Sequence, residues 1–162
     1  MYPEPIRDYD ERAPGRDETE TATFGLGCFW GPDAQFGAMA GVVRTRVGYA
    51  GGTNPDPTYH ALGDHTEVVQ VDYDLDENGL EADAIGTRIE QLTRFYIAED
   101  YHQKYNLRSK RSLMEPFEEL GYDDEALRES PAAAKLNGVA SGNDVAAAEE
   151  LGIDQEPPHG TR

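Results

Sequence analysis

The chain has 162 residues, and its 32 acidic side chains outnumber the 14 basic ones, which gives a formal net charge of −18. This excess excludes binding to nucleic acid or to an anionic membrane through a basic surface, because no cluster of Lys and Arg is available to replace counterions. The length is enough for one domain with its own core. We expect that domain at residues 21–152, between a flexible acidic segment at 1–20 and a flexible tail at 153–162.

The same composition predicts the environment of the protein. Asp and Glu are abundant, while only three lysines are present. This composition is typical of proteins from a salty cytoplasm of the haloarchaeal type, where salt screens the repulsion between like charges. No apolar stretch has the length of a signal peptide or a membrane span. A single cysteine fits a reducing compartment. We therefore expect a halophilic, cytoplasmic protein with no nucleic-acid or membrane partner.

The N-terminal half alternates predicted strands with one helix. Apolar and polar residues alternate in the strands, and glycine and proline mark where each element stops. The predicted elements are a strand at Thr21–Gly27, a helix at Pro32–Ala40, a strand at Val42–Gly48, a glycine- and proline-rich loop to about His65, and a strand at Glu67–Tyr73.

The C-terminal half is less regular. Leu75–Gly86 is acidic and reads as a surface connection, Thr87–Phe95 fits either a fourth strand or the start of a helix, and Ala98–Lys110 is predicted to be helical. Ser130-Pro131 predicts the start of a further helix and Asn137-Gly138 its end. Together the elements predict a two-layer α/β (α+β) sandwich with a mixed sheet and helices on one side.

Cys28 is the only cysteine, and it lies between the first predicted strand and the first predicted helix. The helix N-terminus favours the thiolate, which is the reactive form of cysteine. A free cysteine is also among the most commonly buried residues, so a small core side chain is the plain alternative. The glycines and aromatic residues on both sides, including Phe29 and Trp30, favour the reactive thiol.

Strand parity connects Cys28 with two other residues. Cys28 has the parity of the apolar face of the first strand, Tyr49 that of the second and Glu67 that of the third. The strand–helix–strand unit makes the first two strands parallel, so an antiparallel third strand would gather all three residues at one edge of one face. A carboxyl group beside apolar surface can stay protonated near neutrality. The pattern predicts a nucleophile with a general acid beside it.

Each of these residues also has an ordinary alternative. Glu67 could be a solvent-facing strand end, Tyr49 a core residue with a satisfied hydroxyl, and Trp30 part of the core. Cys28 and the four histidines lack the spacing of metal ligands, so no metal site is predicted. A protease-like pair of Cys28 with His102 is conceivable, but no local signature supports it.

Several blocks of sequence follow one another in a characteristic order: Gly27–Gly31 (GCFWG), Val47–Gly52 (VGYAGG), Pro57–Tyr59 (PTY), His65–Val69 (HTEVV) and Phe95–Tyr105 (FYIAEDYHQKY). They lie within roughly Phe24–Asp74 and Arg94–Tyr105. In order and spacing these blocks resemble the peptide methionine sulfoxide reductase A family.

The resemblance implies a ferredoxin-like reductase core and the reduction of methionine (S)-sulfoxide, free or in peptides, without a cofactor. On the family's pattern Cys28 attacks the sulfoxide sulfur, Phe29 and Trp30 hold the S-methyl group, and Glu67, helped by Tyr49, protonates the oxygen. Methionine is released and Cys28 becomes a sulfenic acid. This role would be one of protein repair under oxidative stress.

The chain departs from the family's pattern in two ways. Family members often carry a resolving cysteine near the C-terminus, and none is present here, so the sulfenate must be reduced by an external thiol such as thioredoxin or a low-molecular-weight thiol. The family's middle segment, which supplies an aspartate and a second tyrosine to the oxygen pocket, is shortened to Leu75–Thr93. Asp100 and Tyr101 are candidates to take part in substrate binding in their place.

Two other functions stay open at this point. The first is a different sulfenate-cycling chemistry at Cys28, such as a thiol peroxidase or a redox sensor. The second is a non-catalytic relative that binds oxidised methionine peptides.

The charge of the chain generates a first prediction. Because about 1 M salt shortens the Debye length to about 3 Å, KCl should relieve the self-repulsion of the surface. We expect the midpoint of thermal unfolding to rise as KCl is raised from about 0.1 M to about 2 M. Circular dichroism measures the midpoint, and full stability in dilute buffer would contradict a halophilic surface.

Overall fold

A computed structural model describes residues 2–74, 92, 94–143, 149 and 151. Its core is a four-stranded sheet with the order β1-β3-β2-β4. The strands are β1 at Glu20–Phe24, β2 at Val42–Ala50, β3 at Thr66–Tyr73 and β4 at Phe95–Ile97. Since β1 and β2 both pair antiparallel with β3, they run in the same direction on either side of it, as the strand–helix–strand prediction requires.

Helices precede, separate and follow these strands along the described part of the chain. They are α1 at Glu4–Arg12, α2 at Trp30–Ala38, α3 at Tyr105–Arg108, α4 at Arg111–Glu119, α5 at Asp124–Glu129 and α6 at Pro131–Ala140, with short 3-10 turns at Arg16–Glu18 and Asp100–His102. The predicted two-layer α/β class is confirmed. Every hydrogen-bonded pair of neighbouring strands in the described part of the sheet is antiparallel, so the sheet differs from the mixed one expected from the sequence.

The two faces of the sheet differ in chemistry. One face is apolar and packs on α2, with the rings of Phe24 and Phe36 stacked at 4.9 Å. The other face carries polar residues, of which Arg46 is bound to Asp72 at 2.6 Å and to Glu129 of α5 at 2.8 Å. Burial opposes the charge of Glu129, yet hydrogen bonds from Arg46 and Arg128 lower its pKa to about 2. The apolar face therefore positions the helix that follows Cys28.

Several predicted boundaries differ from the structure. Helix α2 begins at Trp30 rather than at Pro32, and α6 continues to Ala140 instead of ending at Asn137-Gly138. Ser130 caps α6 as predicted, since its hydroxyl accepts the N–H of Ala133. Residues Ala98–Lys110 contain only a 3-10 turn and the one-turn α3 rather than a helix, because their side chains bind the sheet. The predictions for Leu75–Gly86, for most of Thr87–Phe95 and for the tail at 153–162 lie outside the described residues.

The N-terminal residues form a helix that the sequence does not predict. Ile6 of α1 is fully buried in a second core cluster with Leu136 of α6. The carboxylate of Asp10 accepts hydrogen bonds from the hydroxyls of Tyr122 and Ser130, both at 2.7 Å. Packing on α6 therefore stabilises α1. The domain limits at residues 21 and 152 stay predictions. No helix among the described residues has both the length and the apolar character that crossing a membrane requires.

The contact between α2 and α6 generates a second prediction. A Cβ on Gly37 would lie 2.2 Å from the carbonyl oxygen of Ala134, so Gly37→Ala must push the two helices apart. We expect it to lower the free energy of unfolding by about 1–3 kcal/mol, the usual cost of overpacking. Gly31→Ala on the same helix is the matched control, because a Cβ there meets no atom within 4 Å. Urea unfolding of both variants measures the difference, and equal midpoints would contradict the close contact.

Candidate active site

A tight turn presents Cys28 at the surface. Strand β1 ends at Phe24, and Gly27 has a φ of +85°, a left-handed conformation that favours glycine. Cys28 follows this turn and is exposed. The parity argument for Cys28 is therefore wrong in its geometry, because the strand stops before the residue and the turn, not the pleat, sets its direction. The thiol still lies where the sequence predicts, shortly before helix α2, which follows the first strand of the sheet.

The two aromatic residues after Cys28 form a wall of the site. Phe29 is 1% exposed and packs against Tyr49 with 5.9 Å between ring centroids. Trp30, the first residue of α2, is only partly buried and stacks on Tyr105 at 3.8 Å and an interplanar angle of 2°. Of the two residues predicted to hold the substrate methyl group, Trp30 is therefore partly exposed, while Phe29 is buried in the cluster against which Trp30 packs.

Tyr49 and Glu67 lie opposite each other at the same end of the sheet. They are paired residues of β2 and β3, which is the adjacency that strand parity predicts. Tyr49 is fully buried, whereas Glu67 is only partly buried. Burial first, then the carboxylate of Glu99, raises the pKa of the Tyr49 phenol, and Glu67 adds to the effect. The phenol consequently keeps its proton and acts as a hydrogen-bond donor.

The hydroxyl of Tyr49 forms a hydrogen bond with Glu99, a residue that was not among the site residues predicted from the sequence. Its hydroxyl donates to Oε2 of Glu99 at 3.0 Å. The other carboxylate oxygen of Glu99 accepts the backbone N–H of Tyr59 at 3.2 Å. One carboxylate therefore connects β2 with the loop between β2 and β3.

His102 lies behind the aromatic wall. It is fully buried, and its Nδ1 accepts the indole N–H of Trp30 at 3.0 Å. Because Nδ1 is the acceptor, the neutral ring carries its proton on Nε2. Nε2 lies 3.2 Å from Oε2 of Glu99, a contact that does not have hydrogen-bond geometry, so this buried nitrogen has no hydrogen-bond partner among the described residues. Burial lowers the pKa of His102, although Glu99 acts in the opposite direction.

Asp100 and Tyr101 occupy the outer side of this segment. Asp100 is exposed at the start of the 3-10 turn. Tyr101 is half exposed, with its ring 4.0 Å from that of His102. Desolvation, followed by the neighbouring Glu99 and Tyr59, raises the pKa of Tyr101. Tyr101 thus borders the site, whereas Asp100 faces solvent; a contact of either with substrate stays a prediction.

The loop from Gly51 to His65 is held in shape by two of its own side chains. The carboxylate of Asp64 accepts the N–H and the hydroxyl of Thr53 and the N–H of Asn54, which lowers its pKa to about 2. The ring of His65 accepts the N–H of Gly52 and lies 2.6 Å from the carbonyl oxygen of Asn54. These bonds give the loop a defined path, which brings Tyr59 to Glu99.

Two buried side chains fix the segment that carries Glu99 and His102. The carboxamide of Gln103 accepts the N–H of Val47 at 2.9 Å and donates to the carbonyls of Val47 and Ala98 at 2.8 and 3.1 Å. The backbone N–H of Lys104 donates to Asp33 of α2 at 3.1 Å, and its ammonium group donates to the carbonyls of Thr45 and Arg128. Burial lowers the pKa of Lys104 to about 8.

Of the predicted residues, the structure brings together Phe29, Trp30 and Tyr49, places Glu67 opposite Tyr49, and leaves Cys28 exposed at the start of the aromatic wall. Sequence reasoning missed Glu99, and it considered His102 only as a partner for the thiol. Their spacing of three residues within the FYIAEDYHQKY block was the available signal, since it places both on one side of a helical turn. Among the described residues, no group of His, Cys, Asp and Glu could hold a metal ion.

Comparison with known proteins shows which family the chain is similar to. The model of the family described as "Peptide methionine sulfoxide reductase" matches residues 20–82, which hold Cys28, Tyr49 and Glu67. A peptide methionine sulfoxide reductase of Drosophila melanogaster is 35% identical over 171 aligned positions, which cover 75% of this chain and 68% of the relative. The peptide methionine sulfoxide reductase A5 of Oryza sativa subsp. japonica is 34% identical, with 76% and 68% of the two chains covered.

A solved structure, the methionine sulfoxide reductase A of Corynebacterium diphtheriae, is 30% identical with a TM-score of 0.37, and the match covers 66% of this chain and 60% of that one. The alignment with the Drosophila protein has more positions than the matched 75% of 162 residues can fill, so it contains gaps in this chain. Such gaps agree with a core shortened relative to the family. The 35% identity with the Drosophila protein, over 68% of that protein's length, shows that this chain belongs to the peptide methionine sulfoxide reductase A family.

Proposed function

We propose that the chain reduces methionine (S)-sulfoxide, free or within peptides, with Cys28 as its nucleophile. The observation that carries the proposal is the exposed thiol two residues before α2, in a chain that belongs to a family of reductases. An exposed thiol can meet a methionine side chain on another molecule, which a buried cysteine could not do.

The first half of the reaction transfers the oxygen to Cys28. The thiolate of Cys28 attacks the sulfoxide sulfur and forms an S–S bond, while the sulfoxide oxygen takes up a proton and becomes a hydroxyl group. The hydroxyl then moves to the Cys28 sulfur: a new S–O bond forms there, the original S–O and the S–S bonds break, and one electron pair stays on the sulfur of the departing methionine. Cys28 is left as a sulfenic acid. Methionine sulfoxide is reduced by two electrons, and the cysteine sulfur is oxidised by two.

The proton is assigned to Glu67. Its side chain is partly exposed at one end of the sheet, whereas the hydroxyl of the buried Tyr49 already donates a hydrogen bond to Glu99. Tyr49 therefore supports the acid rather than contacting the sulfoxide in this arrangement. A general acid placed here makes the sulfoxide oxygen a better leaving group.

The second half of the reaction requires thiols from outside the chain. A first external thiol attacks the sulfenic acid, releases water and forms a mixed disulfide with Cys28. A second thiol then attacks that disulfide and restores the free cysteine. The exposure of Cys28 allows a thioredoxin-like protein or a small thiol to reach it. We place this cycle in the cytoplasm, where such thiols are kept reduced and no resident cofactor is required.

A steady-state assay tests the activity. With dithiothreitol as reductant, we expect the protein to release methionine from the (S)-epimer and not from the (R)-epimer, while Cys28→Ser is inactive. Chromatography of methionine measures both. Consumption of hydrogen peroxide without methionine release would instead support the peroxidase or sensor, and binding without turnover the non-catalytic relative.

The same assay tests the acid. We expect Glu67→Gln to lower kcat/KM by roughly 10²–10⁴-fold, as loss of a general acid does. Glu20→Gln is the matched control, because Glu20 is exposed and pairs with Tyr73 at the opposite end of β3. An unchanged rate in Glu67→Gln would remove Glu67 from the mechanism.

A further inference from the structure

The exposed tyrosines of the described chain gather around the site. Four tyrosines are exposed in the part of the chain that the structure describes, and three of them contact rings of the site. Tyr59 and Tyr101 lie against the ring of His102, with centroid distances of 4.7 and 4.0 Å, and Tyr105 stacks on Trp30. Aromatic residues are enriched at interfaces, because they offer rigid contact area at a low entropic cost. Exposed rings at this place indicate a partner larger than a single amino acid.

Tyr59 and Tyr101 lie within reach of a residue next to a sulfoxide bound at Cys28. The ring of Phe29, which directly follows Cys28, is 5.1 Å from the same His102 ring that the two tyrosines contact. Tyr59 and Tyr101 expose 43% and 50% of their surface. An extended peptide advances about 3.3 Å per residue. A long side chain one or two positions from the sulfoxide can therefore span the remaining distance.

Carboxylates accompany these two rings. The side chain of Glu99 is 30% exposed, and its carboxylate accepts the backbone N–H of Tyr59. After desolvation, the nearby Glu99 and Tyr59 contribute to the raised pKa of Tyr101, so the three side chains share one neighbourhood. Asp100, the next residue along the chain from Glu99, is exposed. Because the face of an aromatic ring and a carboxylate both carry negative charge, such a combination attracts a cation.

The chain segments that build the site contain no Lys or Arg, although they hold eleven Asp and Glu residues. These segments are residues 17–43, 47–74 and 95–103. The basic residues that flank the third segment are already bound. Arg94 lies over the ring of Tyr96, with 4.5 Å to its centroid, and the buried ammonium group of Lys104 donates to backbone carbonyls. The charge at the site is thus complementary to a positively charged partner.

We propose that Tyr59, Tyr101 and Glu99 form a binding site for a basic side chain, arginine above all, beside the methionine sulfoxide of a peptide substrate. The proposal rests on the proposed function and adds a sequence preference to it. A guanidinium group can stack on a tyrosine ring while it donates to a carboxylate, whereas an ammonium group is a more strongly hydrated point charge. The reductase thus favours oxidised methionines in basic segments of other proteins.

Peptides that differ only beside the sulfoxide test the proposal. Three pentapeptides with blocked ends carry methionine (S)-sulfoxide in the centre, flanked on both sides by Arg, Leu or Glu. The assay uses dithiothreitol and about 2 M KCl, so that salt screens the long-range attraction of the acidic chain and leaves direct contacts. We expect kcat/KM to be about tenfold higher for the Arg peptide than for the Leu peptide, the size of a cation–π contact and an exposed ion pair together. Equal values, or a preference for the Leu or the Glu peptide, would overturn the proposal.

Variants assign the preference to the rings. We expect Tyr101→Leu or Tyr59→Leu to lower the Arg-to-Leu ratio of kcat/KM from about ten to about three, because each removes one ring face. Tyr101→Phe should keep the ratio, since the ring and not the hydroxyl makes the contact. Tyr2→Leu is the matched control, because it removes an exposed tyrosine from the N-terminal segment, and it should also keep the ratio. A ratio that neither Tyr101→Leu nor Tyr59→Leu lowers would contradict the ring contacts.

Binding separates the failure of this proposal from that of the proposed function. Isothermal titration calorimetry with Cys28→Ser measures the Kd of the Arg and Leu peptides without turnover. If the unmodified protein releases no methionine from any peptide, the proposed function fails, and an Arg peptide bound about tenfold more tightly, with the difference lost in Tyr101→Leu, still supports the site. If methionine is released but the two peptides have the same kcat/KM and the same Kd, the proposed function stands and the site is overturned.

Discussion

The side-chain amide of Gln103 is the contact on which the site depends most. By bonding both the N–H and the carbonyl of Val47, it joins the segment after β4 to the middle of β2 as a neighbouring strand would. Gln103 is fully buried, so its loss would leave the N–H of Val47 without a partner in the core. His102 lies one residue before this anchor, and Lys104, one residue after it, is bound to α2 through Asp33. The segment is thus bound to β2 through Gln103 and to α2 through Lys104, which fixes the helix relative to the sheet.

This anchor explains how a small structure can hold a site assembled from distant parts of the chain. The aromatic wall comes from the start of α2, the Tyr49–Glu67 pair from β2 and β3, and Glu99 from the segment fixed by Gln103. Tyr49 consequently lies between two carboxylates, one its strand partner and the other its hydrogen-bond acceptor. Burial and both charges keep the phenol protonated, so its orientation towards Glu99 is stable. Glu67, which makes no such hydrogen bond with Tyr49, is the carboxyl group that we propose as the acid.

Much of the strand layout and the Tyr49–Glu67 adjacency could be predicted from the sequence, because alternation and parity are local properties. Parity failed at Cys28 because the strand ends at Phe24 and Gly27 then takes a left-handed conformation, features that a pattern of apolar residues does not contain. The contacts of Glu99 with Tyr49 and of His102 with Trp30 span 50 and 72 residues, and no local periodicity encodes such pairs. Helix α1 was missed for a related reason, since its stability comes from Ile6 and Asp10 against α6 rather than from its own prolines and charges.

The central claim is that Cys28 itself takes the sulfoxide oxygen, and a single turnover tests it most directly. Reduced protein is mixed with methionine (S)-sulfoxide without any other thiol, and the intact mass and the released methionine are measured together. The account predicts about one methionine per chain, with the mass of about one added oxygen located on Cys28 and trapped there by a sulfenic-acid reagent. Methionine released without oxidation of Cys28, or an unmodified thiol with no methionine, would contradict it.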